Sequence, residues 1–190
     1  MSKLGRTGLA VVLVTVLVPL AGVAGGASVS AKQKPVSEAK YAKVLCSTYN
    51  SVIGADLDAF TSAYSSAPTD DPVAYQTAAV TATNDFLAQL TKRKTKLAKV
   101  YPDVDDGKKI AKVMAKDLSG IQTKISAALA KFQAADANGV AFQADVAQFE
   151  VAFQLLGVDS TDLSTVTDQD VIGAVGDEKT CKEIFPVVGG

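Results

Sequence analysis

This chain of 190 residues has no histidine and no tryptophan, and only two cysteines. Without histidine it lacks the side chain most often used to move protons near neutral pH, and also the commonest metal ligand. No G-x-G-x-x-G, P-loop, G-x-S-x-G or H-E-x-x-H pattern occurs, which removes phosphate-cradling loops, the strained nucleophile turn and the zinc-binding helix. Asn50, Asn84 and Asn138 all lack the N-x-Ser/Thr context of a glycan acceptor.

Carboxylates are what remains for chemistry. Asp56 and Asp58 are two apart, so on a helix they point to different sides. Asp103, Asp105, Asp106 and Gly107 superficially resemble a calcium loop. That loop needs glycine at its sixth position and glutamate at its twelfth, where this chain has Lys108 and Met114. These aspartates are better read as anions facing the positive end of the following helix. Asp159, Asp162, Asp168 and Asp170 serve helix capping and solvation, or gather a weakly held divalent ion. Tyr41, Tyr49, Tyr64, Tyr75 and Tyr101 are of a type that ligates haem or stacks on sugars, but most lie on or beside helical stripes, and core packing is the preferred reading. The sequence therefore points to a protein that is not an enzyme, with no catalytic residue, metal or cofactor assigned.

Lys3 and Arg6 are the only charges before Lys32. Leu9 to Ala24 is uncharged, and Val29-Ser30-Ala31 puts small residues at positions −3 and −1 of a cut after Ala31. This is the pattern of a cleaved secretory signal peptide over residues 1–31, with Ala27 as a second tolerable cut. A retained span needs about 20 apolar residues, and Pro19 with the Gly/Ala/Ser tail argues against one. No cysteine follows closely, so no lipid anchor is indicated. The remaining 159 residues, 32–190, are enough for one domain and contain no second run of membrane-spanning length.

Cys46 and Cys181 allow one intramolecular pairing, and export favours a disulfide. A redox pair would bring the cysteines close in sequence, and a thiolate metal site would add further ligands, so a structural staple is the preferred reading.

Residues 32–36 read as a mobile lead-in. Tyr41, Leu45, Tyr49, Ile53, Leu57, Phe60 and Tyr64 then follow at steps of three and four, the spacing of one helix face over about 37–65. Asp71 is placed to cap a second helix over about 72–100, with Pro72 at its first position and Val73, Val80, Thr83, Leu87, Leu90, Leu97 and Tyr101 as its stripe, helped by several alanines and Phe86. Residues 101–107 form the turn. Ile110, Met114, Leu118, Ile121, Ile125, Leu129 and Phe132 mark a third helix over about 108–135, closed by Asn138-Gly139 as a left-handed stop. Phe142, Val146, Phe149, Phe153 and Leu156 mark a fourth over about 140–156. A short helix over about 168–184 follows, with Thr167 and Asp170 as its capping pair. No stretch alternates as a strand would. The expected fold is all-α: a four-helix up-down-up-down bundle with a short C-terminal helical segment tied to helix one by the disulfide.

In architecture the chain resembles the small secreted helical proteins of unknown role found in high-GC Gram-positive (actinobacterial) bacteria. The signal MSKLGRTGLAVVLVTVLVPLAGVAGGASVSA, the Ala/Val/Thr/Asp-rich helices and the early Cys46 with the late Cys181 carry the resemblance. It implies location outside the cytoplasm and a helical fold, and it transfers no functional residue.

Charge is the feature above background. Residues 92–131 hold eleven cations against four aspartates, a net +7, while residues 132–190 hold two lysines against ten carboxylates. Basic helix three packing beside acidic helix four is one reading of this asymmetry. The other is a patch of Lys92, Arg93, Lys94, Lys96, Lys99, Lys108 and Lys109 at one end of the bundle, attracting an anionic cell-envelope polymer or lipid head groups. Nucleic acid is not expected as a partner of a net-acidic exported chain. The functional expectation is a non-catalytic envelope-binding protein. The alternative is a carrier of a small apolar ligand between the helices, suggested by the aromatic, alanine-rich interior.

Overall fold

The computed structural model describes residues 32–154 and 166–182. The fold is an all-α bundle of four main helical stretches with a short C-terminal helical segment fastened to the first. In chain order the elements are β1 (Lys34–Val36), α1 (Glu38–Asn50), a π-helical turn (Ser51–Asp56), α2 (Leu57–Ser65), α3 (Pro72–Leu97), β2 (Val100–Pro102), α4 (Gly107–Ala134), α5 (Phe142–Gln154), α6 (Gln169–Asp177) and α7 (Lys179–Lys182). The signal segment 1–31, Leu156, Asp159 and Asp162 lie outside the described residues.

The first helical stretch is not uniform, and its sequence shows why. Steps of exactly four from Tyr41 to Leu57 drift about 40° per step around an ideal 3.6-residue helix. The series therefore leaves the inward face by Ile53, and Val52 and Asp56, three and seven residues after Tyr49, take that face along a π-helical turn at Ser51–Asp56. This corrects the expected stripe. Val52 and Asp56 are buried there, while Ile53 and Leu57 are only half-buried.

Helix α3 begins as its sequence dictates. One Asp71 carboxylate oxygen accepts the N–H groups of Val73 and Ala74 at 3.0 Å each, and Pro72 occupies the first turn. Its interior is lined by small residues (Ala79, Ala82, Thr83) together with Phe86, Leu90 and Leu97, while Val73 is exposed. All seven stripe residues of α4, from Ile110 to Phe132, are buried. The stop after α4 is not left-handed. Ala135 turns the chain in an extended conformation, and neither Asn138 nor Gly139 has a positive φ.

Residues 32–36 correct the expectation of a mobile lead-in, and residues 100–102 correct the expectation of a plain turn. β1 and β2 pair in parallel, Lys34 opposite Val100 and Val36 opposite Pro102. The Lys34 N–H donates to the Lys99 carbonyl, and the Asp103 N–H to the Val36 carbonyl, at 2.9 Å each. Three-residue strands carry no readable alternation, so composition alone hides them. Gly107 is required by this arrangement: a Cβ there would run into the Pro102 carbonyl oxygen.

The C-terminal segment packs along α1. Its cap is Asp168, whose carboxylate accepts the N–H groups of Asp170 and Val171, and not the expected Thr167. The helix expected over 168–184 is broken at Glu178, which is extended. Cys46 and Cys181 form the disulfide, with Cα atoms 5.0 Å apart, both buried. At the other end, α5 packs on α4 and reaches α2 through its rings. Phe60 stacks on Phe153 at 4.0 Å and Phe132 on Phe149 at 4.5 Å, with Phe86, Phe142, Tyr64 and Tyr75 around them.

Candidate functional site

The C-terminus of α3, strand β2 and the N-terminus of α4 meet at one end of the bundle, and this gathers most of the expected lysines. Lys96, Lys99 and Lys108 are exposed there, with Lys112 one turn further along α4. The Lys108 ammonium lies 5.4 Å from the centre of the Tyr101 ring, a cation–π contact that settles it over β2. Lys109 is exposed but lies 3.9 Å from Asp106. Lys92 is exposed further down α3.

Two of the seven expected residues are turned into the bundle. The Arg93 guanidinium makes two hydrogen bonds of 3.1 Å to the Asp56 carboxylate, whose side chain is only 8% exposed. These bonds raise the Arg93 pKa, against a smaller opposing effect of burial. Asp56 lies seven residues after the buried Tyr49, which keeps it on the inward face of the helix for this meeting. Lys94 is half-buried and donates to the Gln122 side chain at 2.6 Å.

Two lysines outside the expected set join the same end. β1 sets Lys34 beside Lys99 through the strand bond, and the Gln33 side chain donates to the Ala98 carbonyl at 3.1 Å. Lys32 and Lys34 are both exposed. Residues 32–36 and 96–109 together carry six lysines against three aspartates. The sequence signal for Lys32 and Lys34 is their own charge; their placement depends on a pairing across 65 positions. Every cation in this set is lysine, a mobile, strongly hydrated point charge without the fixed fork of arginine.

The tyrosines are structural or engaged with carboxylates. Tyr49 donates to Asp117 at 2.7 Å, and burial followed by that carboxylate pushes its pKa up. Tyr64 donates to Glu150 at 2.8 Å and accepts from Tyr75, and burial first, then these partners, raises its pKa. Burial also raises Tyr41 and Tyr75. None of these phenols is poised to lose a proton near neutrality. Asp56 and Asp58 do not converge, since Asp56 faces Arg93 while Asp58 is exposed. Among the described residues no group of three or more Asp, Glu or Cys is arranged to hold a metal ion.

Among the described residues, grooves open to solvent between helices. One, of about 230 Å³, lies between α4 and α5 over Phe132 and Phe149, with Lys131 and Asp145 at its rim. Another, of about 630 Å³, lies between the start of α1 and α6 and is lined by Glu38, Asp170, Asp177 and Glu178. The rings on which the carrier expectation rested stack on one another. Among the described residues no helix is long and apolar enough to cross a membrane. Comparisons with family models, curated proteins and solved structures gave no match.

Proposed function

We propose that this is an exported, non-catalytic protein that binds an anionic, phosphate-bearing polymer of the cell envelope through the lysine-rich end of its bundle. The observation that carries the reading is the gathering of exposed Lys96, Lys99 and Lys108 around β2, with Lys34 beside them. Flexible lysines suit a polymer whose charges repeat along a chain, because no single anion has to be held in a fixed geometry. A polymer is favoured over a lipid surface because, among the described residues, the exposed large hydrophobic side chains, Val73, Val140 and Val151, belong to the start of α3, the α4–α5 connection and α5. None is at the lysine-rich end, where a membrane-inserting anchor would be wanted.

The test is co-sedimentation of the chain with isolated Gram-positive cell-wall fragments across a salt series. Binding at low salt that fades as salt rises, and that is lost when Lys96, Lys99 and Lys108 are replaced by glutamine, supports the proposal. An absence of binding at every salt concentration would reduce the lysine cluster to a solvated surface.

A further inference from the structure

The lysine-rich end contains one element that belongs to neither of the helices it joins. β1 is a three-residue strand of two exposed residues and one half-buried valine, Val36, which packs against the core. Beyond its parallel pairing with β2, further long-range backbone bonds hold its two ends: the Lys34 N–H to the Lys99 carbonyl, and the Asp103 N–H to the Val36 carbonyl. A strand this short stabilises a bundle little. What it does accomplish is electrostatic. It bonds the Lys34 backbone to that of Lys99 and pairs Pro35 with Tyr101, the residue under Lys108, where a free lead-in would spread the charges of Lys32 and Lys34 over solvent.

We infer that β1 is a working part of the anion-binding face, a charged clamp whose docking on β2 brings Lys32 and Lys34 onto the polymer bound by Lys96, Lys99 and Lys108. This rests on the polymer-binding reading of that end and adds the residues and the pairing on which its affinity depends. The surrounding anions follow β2: Asp103, whose N–H bonds the Val36 carbonyl at the far end of β1 from Lys34, then Asp105 and Asp106, the last 3.9 Å from Lys109. β1 contributes only positive charge.

Among the described residues every member of the packed core lies between Val36 and Cys181, and the chain used is the one expected after export, beginning at Lys32. That chain is titrated with long-chain inorganic polyphosphate across a salt series, with three variants beside it. Lys32→Gln/Lys34→Gln removes the two charges from exposed positions. Val36→Gly keeps every charge but removes the side chain that seats the strand. Lys131→Gln/Lys179→Gln removes two exposed charges elsewhere.

Near an anionic surface each lysine is worth about fivefold in affinity, so the first variant is expected to bind about 25-fold more weakly. Its log–log salt slope should shrink by about 1.4, from about 0.7 per cation. Val36→Gly should fall most of the way toward it, and the distant pair should leave affinity unchanged. If the chain from Lys32 binds while Lys32→Gln/Lys34→Gln binds equally well, the clamp is wrong and the polymer reading stands. Equal weakening by the distant pair would show that only net charge matters, and would also overturn the clamp. If the unaltered chain does not bind polyphosphate at low salt, the polymer reading itself fails.

Discussion

The two ends of the bundle are held together by different means. Where α2, α5, the start of α3 and the end of α4 meet, eight aromatic rings pack against one another, and Phe132, Phe149 and Phe86 are almost fully buried. Where β1, β2, the end of α3 and the start of α4 meet, Lys34, Lys96, Lys99 and Lys108 reach into solvent, and order comes from strand bonds and a close-packed glycine. The disulfide lies on the flank of α1, tying down α7. Cohesion at the aromatic end is hydrophobic and non-directional, whereas backbone bonds at the lysine-rich end leave its side chains free to meet a partner.

Several substitutions sharpen this contrast, beginning with the largest effect. Cys46→Ser/Cys181→Ser removes a link across 135 positions, worth about 5 kcal/mol by the chain-entropy argument. Guanidinium unfolding should show a large loss of stability with helical circular dichroism retained at low denaturant; identical unfolding of oxidised and reduced protein would refute the staple. Phe149→Ala opens the ring stack and should cost about 4 kcal/mol, read by the same method. A loss below about 1 kcal/mol would mean that the aromatic end is not closely packed.

At the opposite end, Gly107→Ala pushes a methyl group against the Pro102 carbonyl and should cost about 2 kcal/mol. It should also weaken polyphosphate binding, because β2 must shift. Asp71→Ala removes the cap of α3 at the aromatic end and should cost about 1 kcal/mol without touching binding.

The tyrosines add a pH dependence. Burial raises Tyr41, Tyr49, Tyr64 and Tyr75 above the ordinary value of 10.0. A phenol harder to ionise in the folded chain adds stability that is complete below that value and is lost as pH climbs above it. Absorbance titration should show these rings ionising together with unfolding at alkaline pH. Stepwise ionisation with the fold intact would contradict the burial.

Much of this architecture is legible in the residues. The α4 stripe from Ile110 to Phe132 is buried throughout because a long helix repeats its period enough times to leave no ambiguity. Asp71-Pro72 marks the α3 start, and two cysteines in a chain read as exported point to the bridge. What stays hidden depends on contacts far apart in sequence. β1 is ordered by residues 65 positions away, and three residues carry no period. Asp56 meets Arg93 across 37 positions, a pairing that no local period announces. The lysine cluster is visible as charge, but which lysines share a surface is decided by the packing of α3 and α4.

The central claim, that the lysine-rich end is the binding face, is tested most directly by nuclear magnetic resonance. Amide shifts of the labelled chain from Lys32 would be followed through a polyphosphate titration at low salt. Shifts confined to β1, β2, the last turn of α3 and the first turn of α4, and reversed by added salt, are expected. Shifts concentrated in α5 or in the groove between α1 and α6, or no shifts at all, would contradict that claim.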